Sequence, residues 1–183
     1  MTAGKTCRIA SSQFLSIVVH QDRVYAAPWS KNQTDVFQHN TTPQTGWRQQ
    51  RSINHDTDMK NAFEETECLN TISISNNQLK CCSIKDNIIK VYSLSGELLQ
   101  IHGTFGSGDA GQFHNPAICD DDDDSSVLIA DFYNARLQVM SEKGEFSVLQ
   151  LQPPVSLPCS AALFNNQLYV TSPNDRLISK YSC

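Results

Sequence analysis

Short apolar stretches separated by polar turns recur along this chain, and the pattern predicts β-strands rather than helices. Apolar runs at positions 15–19, 24–27 and 127–130 are four or five residues long. The stretch 103–146 contains three such strands and the start of a fourth, with turns between them. Several short strands joined by turns within about forty residues are typical of one blade of a β-propeller. We expect the runs 127–129 and 137–139 to lie in the core.

The strand pattern repeats four times. If each repeat is aligned on its second strand, the anchors are Val24, Leu79, Val127 and Leu168, which are 55, 48 and 41 residues apart. The phrase Asn-Asn-Gln-Leu occurs at both 76–79 and 165–168, and Asn suits tight hairpin turns because it tolerates a positive φ. The sequence therefore predicts an all-β fold, one domain over 1–183, with four-stranded blades at roughly 15–53, 70–102, 116–150 and 159–183 and a polar insertion at 54–70.

The last repeat stops after three strands, which would leave an exposed sheet edge. The segment 6–10, which contains Cys7 and Ile9, is the candidate fourth strand that would close this blade. Two architectures remain open, namely a small closed ring of four blades and a partial ring.

A glycine-rich loop runs from Gly103 to Gly111. Its glycines at 106, 108 and 111 have the spacing Gly-x-Gly-x-x-Gly, which in a dinucleotide-binding site lies between a strand and a helix. Here Gln-Phe-His-Asn-Pro follows, and a proline is tolerated at the first residue of a strand. The loop is predicted to dock Phe113 and to lead into a strand from Pro116, without any cofactor.

The order of motifs from 103 onwards resembles the NHL repeat. The matching features are G-x-x-G-x-G-x-x-G-Q-F, an Asn-Pro pair, an Asp-rich turn, V-L-I-A-D, Y-N-A-R-L-Q-V and K-G-E-F. This repeat builds the β-propellers at the C-termini of tripartite-motif proteins. One position departs from the family, which often has Asn-His-Arg where this chain has Asn134, Ala135 and Arg136. The departure removes an imidazole from a loop available for binding.

Composition narrows the class of partner. The formal net charge is −5 and the pI is about 5.4, so no general affinity for polyphosphates is expected. No apolar run approaches the ~20 residues of a membrane helix, and residues 1–7 lack the apolar core of a signal peptide. Seven cysteines without a Cys-x-x-Cys pair are interpreted as small hydrophobic residues in a reducing compartment. We therefore expect a cytoplasmic protein with no membrane partner.

No catalytic or metal-binding set emerges from the sequence. Five aspartates at 120–124 provide oxygen ligands for calcium, but they lack the alternating pattern and the glycine of a calcium loop. A solvated hairpin turn is the favoured interpretation. The five histidines do not recur at metal-ligand spacing, so no metal and no small-molecule cofactor are predicted.

The tips that join the second and third strands share one face of a propeller. Aromatic and arginine residues in such a place are typical of protein-recognition surfaces. Two of these residues have a structural alternative, because Arg136 can brace its blade through backbone carbonyls and Trp29 can pack between blades. The predicted partner-binding residues are Trp29, Lys31, Lys85, Tyr133, Asn134, Arg136, Asn174 and Arg176.

The resemblance implies a protein-interaction module, like the substrate-recruiting propeller of tripartite-motif E3 ubiquitin ligases, and not an enzyme. This chain lacks the zinc-binding Cys/His pairs of a RING, so a role in ubiquitin transfer requires a RING from a longer parent chain or from a partner. The alternative is a propeller that binds single-stranded RNA, which the negative net charge disfavours. A metal-dependent propeller hydrolase or lyase is the weaker alternative.

Overall fold

The computed structural model describes residues 14–28, 33–39, 47–54, 70–121 and 126–182. These residues form four antiparallel sheets in which consecutive strands are neighbours, one two-stranded parallel ribbon and one three-residue 3-10 helix, with no α-helix in the ranges described. Sheets of this up-and-down connectivity stacked face to face are the blades of a propeller. The predicted all-β propeller with four blades is therefore confirmed.

Blades 1 and 2 each have four strands. Blade 1 consists of β1 (Phe14–His20), β2 (Arg23–Pro28), β3 (Gln33–His39) and β4 (Trp47–Asn54). Blade 2 consists of β5 (Asn70–Ser75), β6 (Gln78–Ser83), β7 (Ile88–Ser93) and β8 (Leu98–His102).

Blade 3 follows a two-stranded parallel ribbon made of β9 (Thr104–Phe105) and β10 (Gln112–Phe113). Its own strands are β11 (Pro116–Asp121), β12 (Val127–Asp131), β13 (Arg136–Met140) and β14 (Phe146–Leu149). Blade 4 has three strands in the described part of the chain, β15 (Ser160–Phe164), β16 (Gln167–Ser172) and β17 (Leu177–Ser182).

Several expectations fall on parts of the chain outside the described residues. The candidate closing strand at 6–10 lies there, as does most of the polar insertion at 54–70. Two predicted partner-binding residues, Trp29 and Lys31, and the central aspartates 122–124 also lie there. These stay predictions.

The Asn-Asn turns have the backbone that the sequence predicts. Asn76 and Asn77 connect β5 to β6 with φ of 49° and 55°, and Asn165 and Asn166 connect β15 to β16 with φ of 50° and 56°. Two successive residues at positive φ make the turn whose twist matches that of the flanking strands. Each turn thereby fixes the register of its hairpin.

Three apolar clusters hold the blades together in chain order. Blade 1 contacts blade 2 through Tyr25 and Leu79, and blade 2 contacts blade 3 through Ile89 and Ile129. A third cluster, which includes Leu137, joins blade 3 to blade 4. Successive residues of a strand point to opposite faces of its sheet, so each middle blade contributes to two clusters.

In the two stretches expected in the core, fully buried residues lie beside half-buried ones, which the continuous apolar pattern did not predict. Val127, Ile129 and Leu137 are fully buried, whereas Leu128 and Val139 are half-buried. Gln138, within the second stretch, is also fully buried. No helix among the described residues is long and apolar enough to span a membrane.

Candidate protein-interaction site

The glycine loop folds back on itself between blades 2 and 3. Within it, Thr104 N donates to Gly111 O at 3.0 Å and Gly106 N donates to Phe113 O at 3.0 Å. Gly103 and Gly111 have φ of 87° and 83°, a region that glycine enters at little cost. Phe113 is fully buried and β11 begins at Pro116, as the sequence predicts.

Asp131 is the centre of a hydrogen-bond network beneath this loop. Its carboxylate is fully buried at the end of β12. One oxygen accepts from His114 N at 2.7 Å, and the other accepts from Asn134 Nδ2 at 2.8 Å and from Arg136 Nε at 2.9 Å. Gln138 Nε2 donates to the same second oxygen at 2.9 Å. A buried carboxylate with this many charge-assisted and neutral donors is well satisfied.

Arg136 connects Asp131 to the loop backbone. Its Nη1 donates to Gly108 O at 2.9 Å, and its Nη2 donates to Asp109 O at 3.1 Å and to Gln112 O at 2.9 Å. The planar guanidinium directs several donors at once, so one side chain fixes three loop carbonyls. Of the two roles considered for Arg136, the bracing role is the one that its contacts show.

Two amide side chains complete the brace. Asn134 Nδ2 also donates to Gly106 O at 2.8 Å. Gln138 binds the loop through both ends of its amide, since Nε2 donates to Gln112 O and Oε1 accepts from Gly111 N, each at 2.8 Å. The polar residues Asp131, Asn134, Arg136 and Gln138 thus share one structural task, which is to hold the glycine loop in one conformation.

An exposed aromatic cluster lies at the braced loop. The centroids of the Phe105 and His114 rings are 5.1 Å apart, and those of His114 and Tyr133 are 4.7 Å apart. Phe132, in the 3-10 helix Phe132–Asn134, stacks edge-on against Tyr133 at 4.9 Å. Phe105 and Tyr133 are 66% and 57% exposed. We call the three exposed residues, Phe105, His114 and Tyr133, the aromatic cluster.

The other predicted site residues lie on the neighbouring tips. Lys85 is exposed on the tip between β6 and β7, and Asn87 of that tip accepts a hydrogen bond from Asn115 N at 2.7 Å, next to His114. Asn174 and Arg176 are exposed on the blade 4 tip between β16 and β17. The structure thus joins the blade 2 tip to the aromatic cluster, and it gives no contact between that cluster and Asn174 or Arg176 among the described residues.

Sequence reasoning found Tyr133 and missed its partners. Phe105 lies within the glycine loop and His114 follows the buried Phe113, so neither belongs to a strand-connecting tip. For Phe105 a signal was present, because it lies between Gly103 and Gly106 and glycines have no side chain to cover a ring. Only the fold of the loop brings the two residues against Tyr133.

The cysteines of blade 2 behave as predicted for small hydrophobic residues. Cys81 and Cys82 are buried, and burial raises the pKa of the Cys81 thiol to about 12 and that of Cys82 well above its usual value. Cys119 is half-buried and Cys159 is exposed. No group of three or more His, Cys, Asp or Glu side chains able to hold a metal occurs in the residues described.

Comparisons with known proteins support the architecture. No protein-family model and no curated protein matches the chain. Among solved structures, a streptogramin B lyase superposes with a TM-score of 0.62 at 13% identity, covering 93% of this chain and 54% of that chain. The chain has a β-propeller fold.

Two further structures agree with this result. A catalytically inactive variant of virginiamycin B lyase from Staphylococcus aureus with quinupristin gives a TM-score of 0.63 at 14% identity, covering 97% of this chain and 58% of that chain. The computationally designed Ika4 protein gives 0.56 at 14% identity and covers 98% and 99% of the two chains. Identities this low establish the fold alone. The propeller spans slightly more than half the length of the lyases.

Proposed function

We propose that this propeller is a protein-interaction module of the NHL type, and that the aromatic cluster is the centre of its recognition surface. The observation that carries the proposal is an exposed set of rings in which Phe105 lies on the loop held by Arg136 and Gln138 and His114 is fixed through its backbone N–H by Asp131. Large aromatic side chains supply most of the energy at many protein interfaces. A loop that is already ordered loses little conformational entropy on binding.

The charge around the cluster favours a protein over RNA. Arg136, one of the four cationic residues predicted for this face, is ion-paired with buried Asp131 at 2.9 Å and its other donors bind loop carbonyls. Its charge is therefore largely neutralised where a phosphate would need it. Among the described residues, Lys85 and Arg176 remain as exposed cations on the tips, which suits the polar rim of a protein interface.

The more specific part of the proposal follows from the NHL resemblance. The module would recruit a protein for ubiquitin transfer in the cytoplasm, with the RING supplied by a longer parent chain or by a partner. Lys85, Asn174 and Arg176 would lie at the rim of the interface, with Trp29 and Lys31 on the blade 1 tip. Asn134 and Arg136 would act through the loop that they position.

Quantitative affinity capture tests the proposal. The bait proteins are the wild-type chain, Tyr133→Ala, Phe105→Ala and the control Leu99→Ala, used in nuclease-treated cell extract. Leu99 is also an exposed apolar residue, but it lies on β8, the outermost strand of blade 2. Loss of an aromatic anchor is expected to cost about 2 kcal/mol, or about 30-fold in affinity.

The expected result is a set of proteins retained by the wild type and Leu99→Ala and depleted by both aromatic variants. Equal retention by all four baits would remove the aromatic cluster from the interface. RNA binding is tested separately with labelled single-stranded pools at about 50 and 200 mM salt, a range over which phosphate-driven binding collapses. Tight, salt-sensitive binding that is lost on neutralising Lys85 and Arg176 would replace the protein-partner proposal.

A further inference from the structure

Each blade has a forward face, which packs on the next blade, and a rear face, which packs on the previous blade. The apolar clusters join blades 1 and 2, 2 and 3, and 3 and 4, and no cluster of described residues joins blade 4 to blade 1. The forward face of blade 4 and the rear face of blade 1 are thus the two terminal faces. On the rear face, Val24, Ala26 and Phe37 are buried as a separate cluster, but the inner strand β1 is open.

The forward face of blade 4 carries an apolar residue at a position that is buried elsewhere. Ile178 occupies the same ladder position in blade 4 as Ile89 does in blade 2 and Leu137 does in blade 3. Each of the three pairs with the residue that follows the second-strand anchor of its own repeat by three positions. Ile89 and Leu137 are fully buried against the following blade, whereas Ile178 is 71% exposed. Blade 4 therefore has the side chain of a blade junction without the junction.

The rear face of blade 1 shows the same mismatch. Ile17 on β1 occupies the same ladder position as Ile72 on β5 and Ile118 on β11. Each of them pairs with the residue that follows the second-strand anchor of its own repeat by two positions. Ile72 and Ile118 are buried against the preceding blade, whereas Ile17 is 55% exposed. Val19, the next residue on this face, is also exposed.

A polar contact is repeated at two of the three internal junctions, those between blades 1 and 2 and between blades 2 and 3. Ser16 Oγ accepts from Ile72 N of the next blade at 3.1 Å, and Thr71 Oγ1 accepts from Ile118 N at 2.6 Å. Ser160 occupies the same ladder position in blade 4 and is exposed. The matching backbone donor on the rear face of blade 1 is that of Ile17. The two terminal faces of the chain thus carry both halves of this contact.

We propose that two copies of this chain assemble head to tail into one ring. The forward face of blade 4 in each copy packs on the inner strand of blade 1 in the other. A single copy covers 54% to 58% of the lyase chains that it resembles, so two copies supply about the length of one lyase propeller. A second copy also provides both missing faces at once, and the two identical junctions close a ring with two-fold symmetry, the commonest symmetry of protein oligomers.

The test uses the 183-residue chain and two variants, Ile178→Glu on the forward face and Ile17→Lys on the rear face. Sedimentation velocity is expected to show a dimer for the wild type at micromolar concentration. Each variant alone is expected to dimerise at least 10-fold more weakly, because both junctions of its dimer carry the same change. A mixture of the two variants should recover the dimer, since one junction is then wild type and the other pairs Glu with Lys.

The control is Leu99→Glu, which places a charge at an exposed apolar position on β8 and should leave the dimer intact. Thermal melting of each variant checks that it folds, and Ile178→Ser and Ile17→Ser replace any charged variant that does not. Three results would each overturn the proposal: a wild type that is monomeric up to about 100 μM, a mixture no more dimeric than its components, or a dimer that Ile17→Lys leaves unchanged. A dimer that Ile17→Lys leaves unchanged would indicate that blade 4 of one copy packs on blade 4 of the other.

Discussion

Gly103 lies directly under the buried ring of Phe113. A Cβ atom added at Gly103 would lie 2.4 Å from Phe113 Cε2 and 2.7 Å from Cδ2, and the residue has a φ of 87°. Side chains pay a conformational penalty at positive φ, and a fully buried ring has little room to shift. These two costs together make glycine a requirement at this position.

We expect Gly103→Ala to lower the free energy of unfolding by about 2 to 4 kcal/mol, as measured by urea denaturation. Gly108→Ala in the same loop is the matched control. Its added Cβ would meet only Gln112 Oε1 at 3.3 Å, the end of a flexible side chain, so a change within about 1 kcal/mol is expected. If the two variants are equally stable, the contact with Phe113 does not determine the path of the loop.

The buried carboxylate of Asp131 provides a second test of the brace. Asp131→Asn keeps the size of the side chain but leaves Arg136 without its charge partner and turns an NH₂ group towards other donors. Breaking a buried ion pair by changing one member is costly, and we expect a loss of about 3 kcal/mol of stability. Tyr133→Ala, at an exposed position of the 3-10 helix beside this loop, should change the free energy of unfolding by less than about 1 kcal/mol. A stable Asp131→Asn variant would contradict the bracing role.

The sequence predicted one member of this network, because bracing of the blade through backbone carbonyls was one of the two roles expected for Arg136. It did not specify which carbonyls accept, nor that Asp131 and Gln138 take part. That depends on the path of a loop whose glycines allow many conformations. The aromatic cluster was missed for the same reason, since Phe105, His114 and Tyr133 come from three separate segments. These are details of tertiary structure, whereas the strands depend on local pattern.

The individual strands show how far that local pattern reaches. Apolar runs predicted the second and third strands of blade 3, and the Asn-Asn phrases predicted two hairpin turns. Continuous runs, however, do not tell which face of a strand is more deeply buried. Ile129 is fully buried towards blade 2, while Leu128 on the opposite face is half-buried towards blade 4. The difference arises from the neighbouring blades and not from the strand.

We expect this difference to appear in stability. Ile129→Ala should cost about 3 to 4 kcal/mol, because it leaves a cavity among side chains that pack on all sides. Leu128→Ala should cost about 1 to 2 kcal/mol, since part of the side chain already contacts water. Equal losses in chemical denaturation would show that the junction between blades 3 and 4 is as well packed as the junction between blades 2 and 3.

Within a single copy of the chain, the apolar clusters of the described residues join neighbouring blades in a row. Such an arrangement makes stability a sum of terms for each blade and each junction, and partial opening at an end is then easier than opening in the middle. Cys81 and Cys82 are adjacent in sequence but belong to different junctions, because they point to opposite faces of β6. Cys81 packs in the junction with blade 1, and Cys82 packs in the junction with blade 3.

These two thiols can therefore report on the two junctions separately. Alkylation requires the thiolate, and burial raises the pKa of Cys81 to about 12 and that of Cys82 well above its usual value, so at pH 8 each reacts only when its junction opens. At a protein concentration low enough for the chain to be monomeric, we expect Cys81 to be labelled several times faster than Cys82 in mild urea, because release of blade 1 exposes Cys81 alone. Tandem mass spectrometry distinguishes the two sites, and exposed Cys159 should react at once as the internal control. Equal labelling rates for Cys81 and Cys82 would show instead that the blades open as one cooperative unit.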